Sequence, residues 1–194
     1  MSDNVKIIAS TVLSENWGKL NKVKYENRLK DGTWQTHERE VYNRGNGAVI
    51  LLYNKEKGTV ILTRQFRIPT WFNGNTDGMM IEAPAGLLDE NDPEECIRRE
   101  TEEETGYTVT DVKKVMEVYM SPGSVTEILY FFIAAYSDAM KTGEGGGVEK
   151  EQENIEVLET SFTRALEMVT SGEIKDAKTI MLLQYAQINR LLEA

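Results

Sequence analysis

The stretch Ala83-Pro84-Ala85-Gly86-Leu87-Leu88-Asp89-Glu90-Asn91-Asp92-Pro93-Glu94-Glu95-Cys96-Ile97-Arg98-Arg99-Glu100-Thr101-Glu102-Glu103-Glu104-Thr105-Gly106-Tyr107 decides how the rest of the chain is read. Asp92 is a helix cap, Pro93 suits the first helical position, and Glu95 lies three past the cap. Gly106 is placed to end the helix in a left-handed conformation. Between these ends Glu100, Glu103 and Glu104 share one face, with Arg99 four residues before Glu103. Carboxylates so gathered repel one another, which raises their pKa values or calls for a cation. A hard divalent ion answers that need, and Mg²⁺ is the usual one where phosphates are bound. Gly86 ends a small-residue turn that follows the apolar run Met79–Ile81 and presents a backbone carbonyl beside the helix. The competing reading is a solvated acidic helix face.

Upstream, residues 48–53 and 59–66 read as strands around a Lys55-Glu56-Lys57-Gly58 turn. Arg67 heads a loop running to Asp77, and a loop-borne Arg beside a metal binds phosphate with two N–H groups; the alternative is a solvated Arg. Gly45-Asn46-Gly47 marks a boundary. Before it, residues 5–13, 20–28 and 33–42 read as three strands, with Lys30-Asp31-Gly32 as a turn. Three strands make a thin sheet, marginal alone, which needs the main domain or a second subunit. Trp17, in the first turn, is core filler or a stacking platform; on these residues alone filler is the favoured reading.

Downstream, residues 112–120 and 128–136 read as strands, and Glu127 stands where a loop becomes a strand, either to accept hydrogen bonds from sugar hydroxyls or to be solvated. Residues 142–154 form a loop whose Gly143-Glu144-Gly145-Gly146-Gly147 run has little reason to order. Glu149, Glu151 and Glu153 follow it, as in a lid that brings in a carboxylate, though an acidic disordered loop has the same composition. A short strand over 155–159 and helices over 163–170 and 176–192 close the chain.

The 194 residues suffice for one core plus a small extra unit, and a net charge of −10 argues against a nucleic-acid face or an anionic membrane surface. The one cysteine, Cys96, excludes an intramolecular disulfide and reads as a small buried residue. The single His37 leaves no histidine pair for zinc. Without a signal peptide or a spanning apolar run, the cytoplasm is the expected compartment.

Arg99-Glu100-x-x-Glu103-Glu104-x-Gly106 after Pro84-Ala85-Gly86 resembles the Nudix box, the metal-binding loop–helix–loop of hydrolases that split nucleoside diphosphates linked to another moiety. It departs from that pattern in two places: the loop before Arg99 is one residue short, with Asn91 and Asp92 where a Glu is usual, and Thr101 replaces an aliphatic residue. Arg39-Glu40-Val41-Tyr42-x-Arg44-Gly45-Asn46-Gly47, Met120-Ser121-Pro122-Gly123 and Gly145-Gly146-Gly147-Val148-Glu149 extend the resemblance to the nucleoside-diphosphate-sugar pyrophosphatase branch, and within it to hydrolases of GDP-mannose.

The resemblance implies an α/β fold: a Nudix α/β/α sandwich with a mixed sheet over residues 45–194. It adds an N-terminal antiparallel β unit over 1–44 that exchanges between the subunits of a homodimer. It implies two or three Mg²⁺ ions, with Mn²⁺ as a substitute, held by the Ala85 carbonyl, Glu100, Glu104 and a loop carboxylate. Matching backwards from Ile155 makes that carboxylate Glu153; matching forwards from Val148 makes it Glu151, and Glu153 is preferred. Catalytic roles fall to Glu153 and Glu103. Substrate contacts fall to Trp17, Glu38, Arg39, Glu40, Arg67, Ala85, Gly86, Leu87, Glu104, Glu127, Gln152 and Lys178. The implied reaction takes GDP-mannose to GMP and mannose 1-phosphate. The alternatives are ADP-ribose hydrolysis to AMP and ribose 5-phosphate, and a non-catalytic nucleotide-sugar sensor.

Overall fold

The computed structural model describes residues 4–88, 92–148 and 153–193. Expectations for Asp89–Asn91, Glu149, Glu151 and Gln152 lie outside the described residues. The chain divides into two compact units, one formed by residues up to Asn46 together with Tyr119–Ile128, the other by Gly47–Val118 and the rest from Leu129.

The first unit is an antiparallel sheet in the order β1 (Val5–Glu15), β2 (Lys19–Arg28), β3 (Trp34–Asn43). The expected turn forms at Gly32, with φ of 87° and the Thr33 N–H donating to Asp31 Oδ1 at 2.9 Å. Residues 119–128 attach through Tyr42, whose N–H donates to the Ser124 carbonyl at 2.8 Å and whose carbonyl accepts from Thr126 N–H at 3.0 Å. β1 is exposed along its whole length in the single chain. Trp17 is 68% exposed, so it is not core filler of this chain.

The second unit is built on a seven-stranded mixed sheet. Its path is β10 (Glu156–Ser161), β5 (Thr59–Phe66), β4 (Gly47–Asn54), β9 (Ile128–Ala135) and β8 (Lys113–Tyr119). β4 runs parallel to β9 and antiparallel to β5. β6 (Met79–Glu82) extends β5, and β7 (Ala85–Leu87) pairs with the first half of β4. β4 is a buried apolar run, as a strand covered on both faces must be. Its Ala48, Ile50 and Leu52 share one cluster with Ile97 of α2 (Pro93–Thr105) and with Ile61 and Phe132. The other side chains point to the opposite face, taken by α3 (Phe162–Ser171) and α4 (Ala177–Ile188), with Leu182 and Leu183 wholly buried.

α2 begins and ends as expected. The Asp92 carboxylate accepts from the Glu94 N–H at 2.9 Å, Pro93 opens the first turn, and Gly106 closes the helix at φ 76°. Thr101 fills an aliphatic position because its hydroxyl donates to the Ile97 carbonyl at 2.6 Å, leaving its methyl for the core. Three expectations need correction. Ala85–Leu87 is not a turn but a strand, because β5 pairs only with the far half of β4 and leaves the near half to β7. Arg67–Asp77 is not all loop, since Pro69 starts a short helix, α1 (Ile68–Phe72).

The third correction concerns the glycine run, which is ordered. Gly146 N–H donates to the Glu104 carbonyl at 2.9 Å and Gly147 N–H to the Glu103 carbonyl at 3.0 Å, while Gly143 N–H reaches the Gly106 carbonyl at 3.1 Å. The open carbonyls of the α2 terminus supply the reason to order. Gly145, Gly146 and Gly147 adopt φ of 70°, 104° and 83°, which only glycine takes readily.

Candidate active site

The second unit carries a cluster of carboxylates where α2 crosses β7. Glu104 is 1% exposed, and its Oε2 accepts from the Ala85 N–H at 3.1 Å. Burial pushes its carboxyl up to about 8; the Ala85 hydrogen bond opposes this, and the negative charges of Glu153 and Glu100 add to it. Burial also raises Glu100, against the pull of Arg99, whose Nη2 lies 3.0 Å from it. Glu100 lies directly against Gly86, where a Cβ would collide with its carboxyl group. Glu153 Oε2 accepts from the Val148 N–H at 3.0 Å, close enough to repel both Glu104 and Glu100. Glu103 is more exposed and only loosely paired with Arg99, at 3.8 Å. These placements bring Ala85, Gly86, Glu100, Glu104 and Glu153 to one locality.

This donor set fits a hard divalent cation. All donors are oxygens, and a carboxyl raised first by burial and then by like charges gains most from a cation. Among the described residues no three acidic side chains yet converge into a cage. Glu100 pairs with Arg99, and Glu153 accepts from Val148.

Two cations stand beside the cluster. Arg67 is partly exposed but paired: its Nε and Nη2 donate to Glu82 Oε2 at 3.1 and 2.8 Å, and its charge is felt by Glu104. Lys178 Nζ sits 3.3 Å from Glu82 Oε1 and 2.9 Å from Asp176 Oδ1. Asp176 caps α4, and Thr179 joins that cap to the sheet: its hydroxyl donates to Asp176 Oδ2 at 2.5 Å and accepts from Ala83 N–H at 2.6 Å. Reading the sequence missed Glu82, Asp176 and Thr179. Only the cap pattern of Asp176 was visible in advance; the partners of Glu82 come from 15 residues upstream and 96 downstream.

The first unit holds Trp17, Glu38, Arg39, Glu40, Arg44 and Glu127. Glu127 is 6% exposed and ion-paired with Arg44, not solvated; the Arg44 guanidinium also lies over the Trp17 ring, 5.8 Å from its centroid. Arg44 stands in the quoted motif, but its pairing with Glu127 was not anticipated from it. Arg39 and Glu40 line a cavity of about 640 Å³ with Tyr119, Ser124 and Val125. Arg39 donates to the Glu38 carbonyl at 2.8 Å, and the Glu38 carboxylate pairs with Lys22 at 2.8 Å. Lys22 is the main cause of the lowered pKa of Glu38. Leu87 accepts a hydrogen bond from the Cys96 thiol at 3.3 Å through its carbonyl, and Cys96 is buried as expected. No helix among the described residues is long and apolar enough to cross a membrane.

Comparison with known proteins identifies the family. Residues 43–182 match the NUDIX domain, and residues 4–42 match the family described as the GDP-mannose pyrophosphatase NudK N-terminal domain. A GDP-mannose pyrophosphatase of Klebsiella pneumoniae is 56% identical over 192 residues, covering 99% of this chain and 96% of its own length. The enzyme of that name from Salmonella typhimurium is 55% identical over 193 residues, and the one from Cronobacter sakazakii likewise, each with 100% of both chains covered.

Proposed function

Because the chain belongs to the Nudix family of hydrolases, we propose that it hydrolyses the pyrophosphate bond of GDP-mannose, giving GMP and mannose 1-phosphate. The observation that carries this reading is Glu104, buried and raised beside Ala85, with Glu100 and Glu153 around it and Arg67 within reach. Nudix hydrolases generally use a divalent metal such as Mg²⁺. When bound, that metal neutralises the diphosphate and activates water. Ala85, Glu100, Glu104 and Glu153 are the residues that would hold it, with Glu103 behind them; the ion count is two or three, and Mn²⁺ substitutes.

The chain's own part is charge and position. Arg67 and Lys178 bind diphosphate oxygens. Gly86 and Leu87 offer backbone to the same group, and the missing Cβ of Gly86 leaves the space that the Glu100 carboxyl occupies. Glu153 takes the proton of the attacking water, and Glu103 assists. Water attacks phosphorus, the P–O–P bridge breaks, and the bridging oxygen leaves with one phosphate. Trp17 stacks on the base, Arg39, Glu38 and Glu40 read the nucleoside, and Glu127 accepts hydrogen bonds from sugar hydroxyls. Gln152 adds a contact.

The active form in this reading is a cytoplasmic homodimer. The exposed apolar residues of β1, among them Ile7 at 64% and Val5, Ile8, Val12 and Leu13, support this reading because a second copy can cover them. Incubation with GDP-mannose, ADP-ribose and other nucleotide sugars plus Mg²⁺, with both products identified, tests the assignment. Preferred release of AMP and ribose 5-phosphate would move the substrate to ADP-ribose. Metal-independent binding without turnover would make the protein a sensor.

A further inference from the structure

Glu82, the last residue of β6, belongs to no motif in the sequence. It is 5% exposed, and each of its oxygens takes a different cation: Oε2 accepts from Arg67 Nε and Nη2, and Oε1 faces Lys178 Nζ. Burial alone would raise its pKa, but Lys178 and Arg67 outweigh burial and hold it below the usual carboxylate range. A buried ion triad of this kind is a poor source of net stability, because desolvation offsets most of the attraction. It is a good source of fixed geometry. The guanidinium is planar, so a carboxylate gripping its Nε–Nη2 edge also sets where the Nη1 edge points. The Arg67 side chain is 41% exposed, which leaves part of it open to solvent.

We propose that Glu82 is a positioning residue that aligns Arg67 and Lys178 as one diphosphate-binding pair, in register with the Ala85 segment three residues on. Arg67 comes from the end of β5 and Lys178 from the first turn of α4, and Glu82 is where the two meet. The next residue, Ala83, is clamped to the α4 cap by Thr179, so the strand carrying Glu82 is tied to the helix carrying Lys178 at two consecutive positions. Glu82 itself touches neither metal nor substrate in this proposal, which rests on the reading that Arg67 and Lys178 contact the diphosphate.

The test compares steady-state kinetics on GDP-mannose for Glu82→Gln, Arg67→Ala, Lys178→Ala and the Glu82→Gln/Arg67→Ala double variant, with Mg²⁺ titrated for each. Gln keeps the size of Glu82 but removes the charge that gathers both cations. The expected result is KM raised about tenfold or more with kcat changed less than about threefold, and an unchanged Mg²⁺ requirement. Glu82→Gln should raise KM by a smaller factor in the Arg67→Ala background than in the parent, since only Lys178 is then left for Glu82 to align. Arg67→Lys, which keeps charge and loses the fork, should raise KM nearly as far as Arg67→Ala.

A parent-like KM for Glu82→Gln, with KM raised in Arg67→Ala and Lys178→Ala, would overturn the positioning role and leave the diphosphate contacts standing. Parent-like KM in Arg67→Ala and Lys178→Ala would overturn those contacts and the proposal with them. If Glu82→Gln fails to fold, or KM, kcat and the Mg²⁺ requirement shift together with the urea midpoint, the decision passes to Arg67→Lys. A parent-like KM in that variant would show that charge alone suffices and would overturn the alignment.

Discussion

Glu104 shows how one side chain couples stability to chemistry. Its carboxyl titrates near 8 in the folded protein and in the ordinary Glu range once unfolded. Between those values the folded state holds a proton that the unfolded state has released, so metal-free stability falls as pH rises through that window. Glu104→Gln removes the effect. In chelator, the stability difference between variant and parent should move in the variant's favour from pH 5 to pH 8 by at least about 1 kcal/mol, read from urea midpoints. The same variant should lose turnover by orders of magnitude, and near-normal activity would remove Glu104 from the metal site. Glu153→Gln should lower kcat about a hundredfold or more with KM little changed, while Glu151→Gln stays close to the parent. The reverse ranking would move the loop carboxylate to Glu151. The acidic face of α2 was legible because helical spacing alone puts Glu100, Glu103 and Glu104 together. Glu82 was not: a lone acid at a strand end becomes meaningful only when Arg67 and Lys178 arrive from elsewhere in the chain.

At the scale of elements, most strands and helices were legible from alternation, caps and turns, with boundaries displaced by one to a few residues. Two of the three misreadings share a cause. β7 and the ordered glycine run have no strong pattern of their own and take their form from backbone groups that another element leaves open: the near half of β4 and the carbonyls at the end of α2. The Thr179 clamp between α4 and the strand leading to Ala85 is of the same kind. Thr179→Val keeps the shape and leaves the buried Ala83 N–H without its acceptor at 2.6 Å, so it should cost about 1 to 3 kcal/mol in chemical denaturation. No loss of stability in this variant would mean that the segment relaxes to another partner.

For the whole molecule, a thin N-terminal sheet and a boundary at Gly45-Asn46-Gly47 were the expectation, while the return of residues 119–128 to the first unit had no signal in the sequence. That return depends on Tyr42 pairing with Ser124 and Thr126, which leaves no trace in either segment alone. The proposed homodimer makes a prediction at this scale. Light scattering should report twice the mass of one chain, and a charge at Ile7, 64% exposed in the single chain, should shift the population toward monomer. A fully active monomer at nanomolar concentration would refute an obligate dimer.

The glycine run against the end of α2 also bears on how the sequence can vary. A Cβ at Gly145 would come within 2.5 Å of the Glu104 carbonyl oxygen, one at Gly106 would strike the Gly143 carbonyl, and one at Gly147 would meet Glu153. The two faces of this joint are therefore closed to every other amino acid for separate steric reasons, and a change on one side cannot be rescued by a change on the other. In a saturation library selected for activity, Gly106, Gly145 and Gly147 should be returned almost unmixed, while Gly123, with open space around its Cα, should accept many replacements.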